Sequence, residues 1–152
     1  MYFCFDDEKF MREALAEAEV AMSHDDVPIG AVIVNDEGEI IARGHNKREN
    51  GGSAINHAEV MAINDACNIR GSWRLSDCTL YVTLEPCPMC AGAVINSRIK
   101  RVVYGAKDAR AGAFGSLIDL TEYPFNHKPQ YTCGVLREEC VDILQKFFAK
   151  KR

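Results

Sequence analysis

The segment TLYVTLEPCPMC, residues 79–90, joins a hydrophobic strand to the start of a helix and predicts the layout of the rest of the chain. Its first six residues are typical of a strand buried inside a sheet. Pro86 and Pro88 suit the first turn of a following helix, because proline already has a helical φ and the first N–H groups of a helix have no partner to lose. We therefore expect a strand that leads directly into a helix, with Cys87 and Cys90 at the junction.

Outward from this segment, the chain alternates between strands and helices. Residues 29–34 and 40–44 flank a turn and predict a β-hairpin. Asp6 or Asp7 is expected to cap a first helix, which precedes the hairpin. Further helices are predicted at 57–68 and 137–150, and further strands at 101–105 and 131–135. This order predicts an α/β domain over residues 1–152, with one sheet covered by helices and parallel strand pairs at the crossovers.

Length and composition favour an ordinary globular protein. A chain of 152 residues with 47% hydrophobic residues can bury a core without disulfides. No apolar run approaches the ~20 residues of a membrane span, and the first residues are acidic, so we expect a cytoplasmic protein with no membrane partner. In a reducing compartment most of the seven cysteines should be free thiols or metal ligands.

The charge is unevenly distributed. A net charge of -4 argues against nucleic acid as a partner, yet Arg98 to Arg110 contains five basic residues and one acid, and Lys146 to Arg152 adds four more bases. Two such blocks could form a phosphate-binding surface on an acidic protein. The alternative is that both are solvated faces, with the last lysines favoured by the dipole of a C-terminal helix.

Two predicted helix starts carry residues suited to metal chemistry. One contains His57 and Glu59, and the other contains Cys87 and Cys90. Two thiolates and one imidazole select zinc, and three protein ligands leave a fourth position open, as in catalytic zinc sites. Water in that position has a pKa of about 7, and Glu59 could take and return its proton. The alternatives are a first-turn glutamate that favours its own helix dipole and a redox Cys-x-x-Cys pair.

These residues also resemble a known signature. His57-Ala58-Glu59 with Pro86-Cys87-Pro88-Met89-Cys90 is similar to the motif of the zinc-dependent cytidine/deoxycytidylate deaminase superfamily. Within that superfamily the chain resembles the bacterial tRNA adenosine deaminases along nearly its whole length, most tellingly at residues 105–117 and in the basic tail. The resemblance implies a three-layer α-β-α cytidine-deaminase-like fold with a five-stranded mixed sheet. It also implies one zinc ion per subunit and a homodimer.

The resemblance further implies hydrolytic deamination of adenosine to inosine at the wobble position of a tRNA, an arginine tRNA in particular. The partner would be the anticodon loop, where unstacking a base costs little, and DNA is not expected. Asn46 would hydrogen-bond the target nucleoside, and Asp108 would lie near the neighbouring ribose, where an acceptor for the 2′-OH favours RNA. Lys107 and Arg110 would contact phosphate.

The sequence leaves open the role of two phenylalanines and the type of activity. Phe147 and Phe148 could line the surface that binds the loop, or they could pack the last helix against the sheet. The chemistry could also be that of a free-base deaminase for guanine or cytosine, which needs no basic surface. A third possibility is a zinc module without activity, against which the presence of Glu59 argues.

Overall fold

A computed structural model describes residues 3–151 of the chain. Its helices within this range are α1 (Phe3–Ser23), α2 (Arg48–Gly51), α3 (Ala58–Arg70), α4 (Pro88–Ser97) and α5 (Arg137–Lys150). Its strands are β1 (Gly30–Val34), β2 (Ile40–His45), β3 (Thr79–Leu84), β4 (Arg101–Ala106) and β5 (Gln130–Cys133), and a 3-10 helix spans Leu120–Glu122. None of the helices in the described part of the chain is long and apolar enough to cross a membrane.

The strands form one mixed sheet in the order β2-β1-β3-β4-β5. The β1 strand runs antiparallel to both β2 and β3, whereas β3, β4 and β5 are parallel to one another. The α4 helix connects β3 to the parallel strand β4, as a crossover requires. Because parallel strands end at the same edge, the segments that follow β3 and β4 meet there, and this edge carries the candidate site.

Alternating side chains of the strands separate the core into two layers, one on each face of the sheet. The α3 and α4 helices cover one face, where the buried residues include Ile33, Leu80, Val82, Val102 and Tyr104. Residues of α1 and α5 pack on the other face, where they meet Val32, Val34, Tyr81 and Val103. The expected three-layer α-β-α fold with a five-stranded mixed sheet is therefore confirmed.

Two glycines in the hairpin let helix backbones approach the sheet closely, one on each face. A Cβ atom at Gly30 would lie 2.8 Å from the Cβ of Glu17 in α1 and closer still to the carbonyl oxygen of Ala14. A Cβ atom at Gly44 would lie 2.7 Å from the backbone nitrogen of Ala62 in α3 and closer still to the preceding turn of that helix. Real Cβ atoms do not come this near to backbone, so both positions require glycine.

The predicted cap of the first helix was wrong. The α1 helix begins at Phe3, so Asp6 and Asp7 lie inside it. Asp7 is buried, and its carboxylate accepts a hydrogen bond of 2.7 Å from the hydroxyl of Tyr81 and a bidentate pair of 2.9 and 2.8 Å from Arg101. The carboxylate therefore ties α1 to β3 and β4 instead of satisfying N–H groups at a helix end.

Candidate metal centre and active site

Two helix starts meet at the carboxyl edge of the sheet and bring three metal-binding side chains together. His57 is the residue before α3 and Cys87 the residue before α4, both with extended backbone, and Cys90 lies in the first turn of α4. The Nδ1 atom of His57 is 3.6 Å from the Sγ of Cys87 and 3.5 Å from the Sγ of Cys90. Among the side chains that the structure describes, which leave out residues 3–5 and 50, no other cluster of three His, Cys, Asp or Glu residues is close enough to hold a metal ion.

The geometry of this cluster fits zinc. With Zn–S bonds of ~2.3 Å and Zn–N bonds of ~2.0 Å, tetrahedral coordination places a nitrogen and a sulfur ligand about 3.5 Å apart, as they are found. The pKa of Cys87 is lowered to about 4, chiefly by a hydrogen bond from Cys90 and further by His57. A thiolate is the form of cysteine that binds metal, so Cys87 is prepared for a cation. Cys90 donates the hydrogen bond, which together with burial raises its pKa, so its thiol must lose a proton when a metal binds. The site residues predicted as ligands are therefore positioned for metal binding.

Glu59 lies beside this cluster and is almost completely shielded from solvent. It occupies the first turn of α3 with 4% of its surface exposed. Burial disfavours the carboxylate and raises the pKa of Glu59 to about 7. Because His57 precedes the helix, it and Glu59 can face the same cavity, although two residues apart in mid-helix would point in different directions. A carboxyl group with a pKa near neutrality can both accept and release a proton.

A cavity of about 270 Å³ opens over these side chains. It is lined by Val27, Ile29, Asn46, Arg48, His57, Glu59, Leu84, Glu85, Cys87, Asp108, Ala111 and Phe148. Of these, Asn46 is 3% exposed, and its Oδ1 accepts a hydrogen bond of 2.9 Å from the backbone N–H of Ala58. Asn46 thus holds the start of α3 as well as lining the cavity, and its contact with the substrate stays a prediction.

Three further predicted substrate contacts lie in the segment after β4. Asp108 is half-buried and lines the cavity, and its Oδ1 accepts hydrogen bonds from the backbone N–H groups of Arg110 (3.0 Å) and Ala111 (3.3 Å). Lys107 and Arg110 are exposed. Lys107 lines a neighbouring groove between β4 and α5. The structure thus brings Asp108 to the cavity and leaves both cations on the outer surface.

The two adjacent phenylalanines of α5 occupy different environments. Phe148 is 47% exposed and lines the cavity, whereas Phe147 is 7% exposed. Their rings meet edge to face with centroids 5.3 Å apart. Whether the two rings contact RNA or only pack the last helix therefore stays a prediction with both alternatives open, and of the pair only Phe148 lines the cavity with His57 and Cys87.

One buried residue at the site was not singled out from the sequence. Glu85 follows β3, is 2% exposed and lines the same cavity. Its carboxylate accepts hydrogen bonds of 3.0 Å from the backbone N–H groups of Asp108 and Phe114. The sequence did carry one signal for Glu85, which is a charged residue between a buried strand and the Cys-x-x-Cys segment. Because burying a charge is costly unless it has hydrogen-bond partners, such a residue indicates a specific set of donors.

Comparisons with known proteins agree with this arrangement. Residues 5–106 match the family model of the cytidine and deoxycytidylate deaminase zinc-binding region. The tRNA-specific adenosine deaminase of Bacillus subtilis is 52% identical over 147 residues, which cover 96% of this chain and 91% of that protein. A solved structure from work on A-to-I editing by tRNA:A34 deaminases at the wobble position has a TM-score of 0.86 and 43% identity, with 90% of this chain and 99% of that chain covered.

A solved guanine deaminase of Bacillus subtilis is less similar, with a TM-score of 0.62 and 34% identity over 78% of this chain and 86% of that one. The shared fold, the matched zinc-binding region and the high identity to named relatives are mutually consistent. The chain therefore belongs to the cytidine and deoxycytidylate deaminase family.

Proposed function

We propose that the protein is a single-domain, zinc-dependent tRNA adenosine deaminase that hydrolyses adenosine to inosine at the wobble position, with an arginine tRNA as substrate. The observation that carries the proposal is the cluster of His57, Cys87 and Cys90, two of which, His57 and Cys87, line one cavity together with the buried Glu59. The chain is similar to tRNA-specific adenosine deaminases over nearly its whole length, and this similarity supports tRNA as the substrate class.

His57, Cys87 and Cys90 would hold the zinc ion through Nδ1 and two Sγ atoms. Zinc there would supply the Lewis acidity that makes water a nucleophile near neutral pH. Glu59 takes a proton from the attacking water and delivers it to N1 of adenine as the C6–O bond forms. It then takes the proton of the new C6 hydroxyl and transfers it to the amino group, so that the C6–N bond breaks, ammonia leaves and the C6 carbonyl of inosine forms. Burial raises the pKa of Glu59 above the ordinary carboxyl value, which favours a group that returns a proton as well as accepting one.

The other cavity residues would bind the RNA. Asn46 would hydrogen-bond the target base, and Asp108 would accept from the 2′-OH of the neighbouring ribose. Lys107 and Arg110 are exposed on either side of Asp108 in the chain and can neutralise phosphates, and Phe148 offers an exposed ring for stacking.

We extend the proposal to a homodimer. Several large apolar side chains are exposed on α4 and in the segment after β4, and pairing with a second chain would cover them. They are Met89, Leu117, Ile118, Tyr123 and Phe125. Sedimentation at micromolar concentration should give twice the mass of one chain.

The direct test is inosine formation in an anticodon stem-loop of arginine tRNA. Glu59→Ala should lower the rate of inosine formation about 10²- to 10⁴-fold, because general acid–base catalysis is lost. The zinc content should stay near one ion per chain. Glu19→Ala, at an exposed acid on α1, is the matched control and should behave as wild type. The proposal fails if the wild-type protein makes no inosine, or releases ammonia faster from guanine, cytosine or cytidine than from the RNA.

A further inference from the structure

The segment that carries the proposed RNA contacts has little regular structure of its own. Residues 107–118, called the 107–118 loop below, run from the end of β4 towards the 3-10 helix and include only a single bridge residue, Phe114. Three proposed contacts, Lys107, Asp108 and Arg110, lie at its start. Something other than a strand ladder must therefore hold this loop beside the cavity.

The carboxylate of Glu85 is the group around which the loop is built. Oε1 accepts from the backbone N–H of Asp108 at 3.0 Å and from the hydroxyl of Ser116 at 2.5 Å. Oε2 accepts from the N–H of Phe114 at 3.0 Å and from that of Ser116 at 3.2 Å. Four donors from three loop residues thus converge on one ion, and hydrogen bonds to an ion are stronger than those between neutral groups.

The loop is also shaped to fit this carboxylate. A Cβ atom at Gly112 would overlap the Glu85 carboxyl group and would lie 2.5 Å from the carbonyl oxygen of Asp108. The backbone therefore passes over Glu85 at a distance that only glycine allows. A further hydrogen bond of 2.9 Å from the N–H of Ala113 to the carbonyl of Pro86 fixes the loop to the same short segment.

Glu85 lies two residues before Cys87, yet its own backbone is fixed independently of the loop. Its N–H donates to the carbonyl of Ala106 at 2.9 Å and so continues the pairing of β3 with β4. Cys87 is held by the start of α4, because its carbonyl accepts a hydrogen bond of 2.8 Å from the backbone N–H of Ala91. Loosening the loop should therefore leave the cysteine pair in place.

We propose that Glu85 is a positioning residue for RNA recognition, which holds the 107–118 loop and Asp108 against the cavity without itself contacting the reacting atoms. This inference rests on the proposed function for its substrate. Since the target base would be held by Asn46 and Glu59, on other elements, the loop contributes binding that is equal in the ground and transition states. Losing such binding raises KM and leaves kcat nearly unchanged.

Glu85→Gln is the first test, because it keeps the shape and replaces one acceptor oxygen by a donor that faces N–H groups. On an anticodon stem-loop, KM should rise about ten- to hundredfold, the range expected for lost charge-assisted hydrogen bonds, with kcat within about threefold of wild type. Zinc content should not change. Glu122→Gln is the same substitution at an exposed site in the 3-10 helix and should match wild type.

Gly112→Ala perturbs the same contact from the loop side without altering a charge, and it should raise KM in the same way. Hydrogen exchange supplies a readout that needs no activity: the amides of Asp108, Phe114 and Ser116 should exchange faster in both variants, while those of α4 keep their protection.

An unchanged KM in Glu85→Gln and Gly112→Ala, or unchanged hydrogen exchange in the 107–118 loop, would overturn the inference. A loss of both zinc and kcat would also overturn it, because Glu85 would then support the cysteine pair. Failure of the wild-type protein to form inosine would instead refute the proposed function and leave the exchange result to decide the role of Glu85.

Discussion

Replacing Gly44 by alanine should destabilise the protein and slow deamination together, because the α3 backbone that it touches carries the catalytic end of the site. A Cβ atom there would lie 2.7 Å from the nitrogen of Ala62 and closer to the carbonyl of Ala58. Neither atom can turn away as a flexible side chain does, so α3 must withdraw by roughly 1 Å to restore van der Waals separation.

The magnitude follows from two opposing effects. Overpacking a core costs about 1–3 kcal/mol, and the loss of freedom that alanine imposes on the unfolded chain returns about 0.4–1 kcal/mol. We expect a net loss of about 1–2 kcal/mol, which lowers Tm by about 2–8 °C in a chain of this length. A shift of ~1 Å at the start of α3, where Glu59 lies, should lower kcat about 10²-fold.

Gly30→Ala is the matched control. Its Cβ would meet the backbone of α1 in the same manner on the opposite face of the hairpin, and none of the α1 side chains that the structure describes, from Asp6 onwards, lines the cavity. Thermal unfolding of both variants should show similar losses, whereas inosine formation at 25 °C should fall only for Gly44→Ala. Equal rates in the two variants, or a Gly44→Ala protein as stable as wild type, would refute the argument that these glycines set the helix positions.

Three further outcomes are expected. Asp7→Ala should cost about 3 kcal/mol in urea unfolding, because it leaves Arg101 and Tyr81 without their buried partner. Hydrogen bonds from Arg70 lower the pKa of Asp77 to about 2, so the stabilising effect of this pair is complete above the ordinary carboxyl pKa and is lost as pH falls through about 2. Since both side chains are partly exposed, the free energy of unfolding of wild type should exceed that of Asp77→Asn by no more than ~1 kcal/mol at pH 7, and the difference should vanish below pH 2. Inosine formation measured below KM should fall steeply with added salt, whereas a rate independent of salt would exclude phosphate contacts.

Local patterns in the sequence were enough to predict most of the regular elements. The β3 strand and α5 have the predicted bounds, since a continuous apolar run and a long helical segment are strong local signals. The short α2 helix (Arg48–Gly51) was not predicted, because four residues are too few to show a period. It is held from a distance by the buried Asp26, whose carboxylate accepts the N–H of Glu49 at 3.0 Å.

Local sequence patterns likewise predict only part of the candidate site, because they do not show contacts between residues that are distant in the chain. His57, Cys87 and Cys90 could be found because the metal chemistry of these residues is visible in their spacing. Glu85 could not be assigned a role, because its four donors come from residues 23 to 31 positions further along the chain. The exposure of Phe148 and the burial of its neighbour Phe147 likewise depend on how α5 is rotated against the sheet, which the sequence of the helix alone does not determine.

The spacing of the metal donors has a consequence for how the protein matures. His57 is 30 residues from Cys87 and 33 from Cys90, and the two helix starts meet only after β3 has taken its place between β1 and β4. A complete binding site therefore exists in the folded chain and not in its separate pieces, so that part of the free energy of zinc binding is free energy of folding. The zinc supply of a cell would then govern how much folded enzyme accumulates during synthesis.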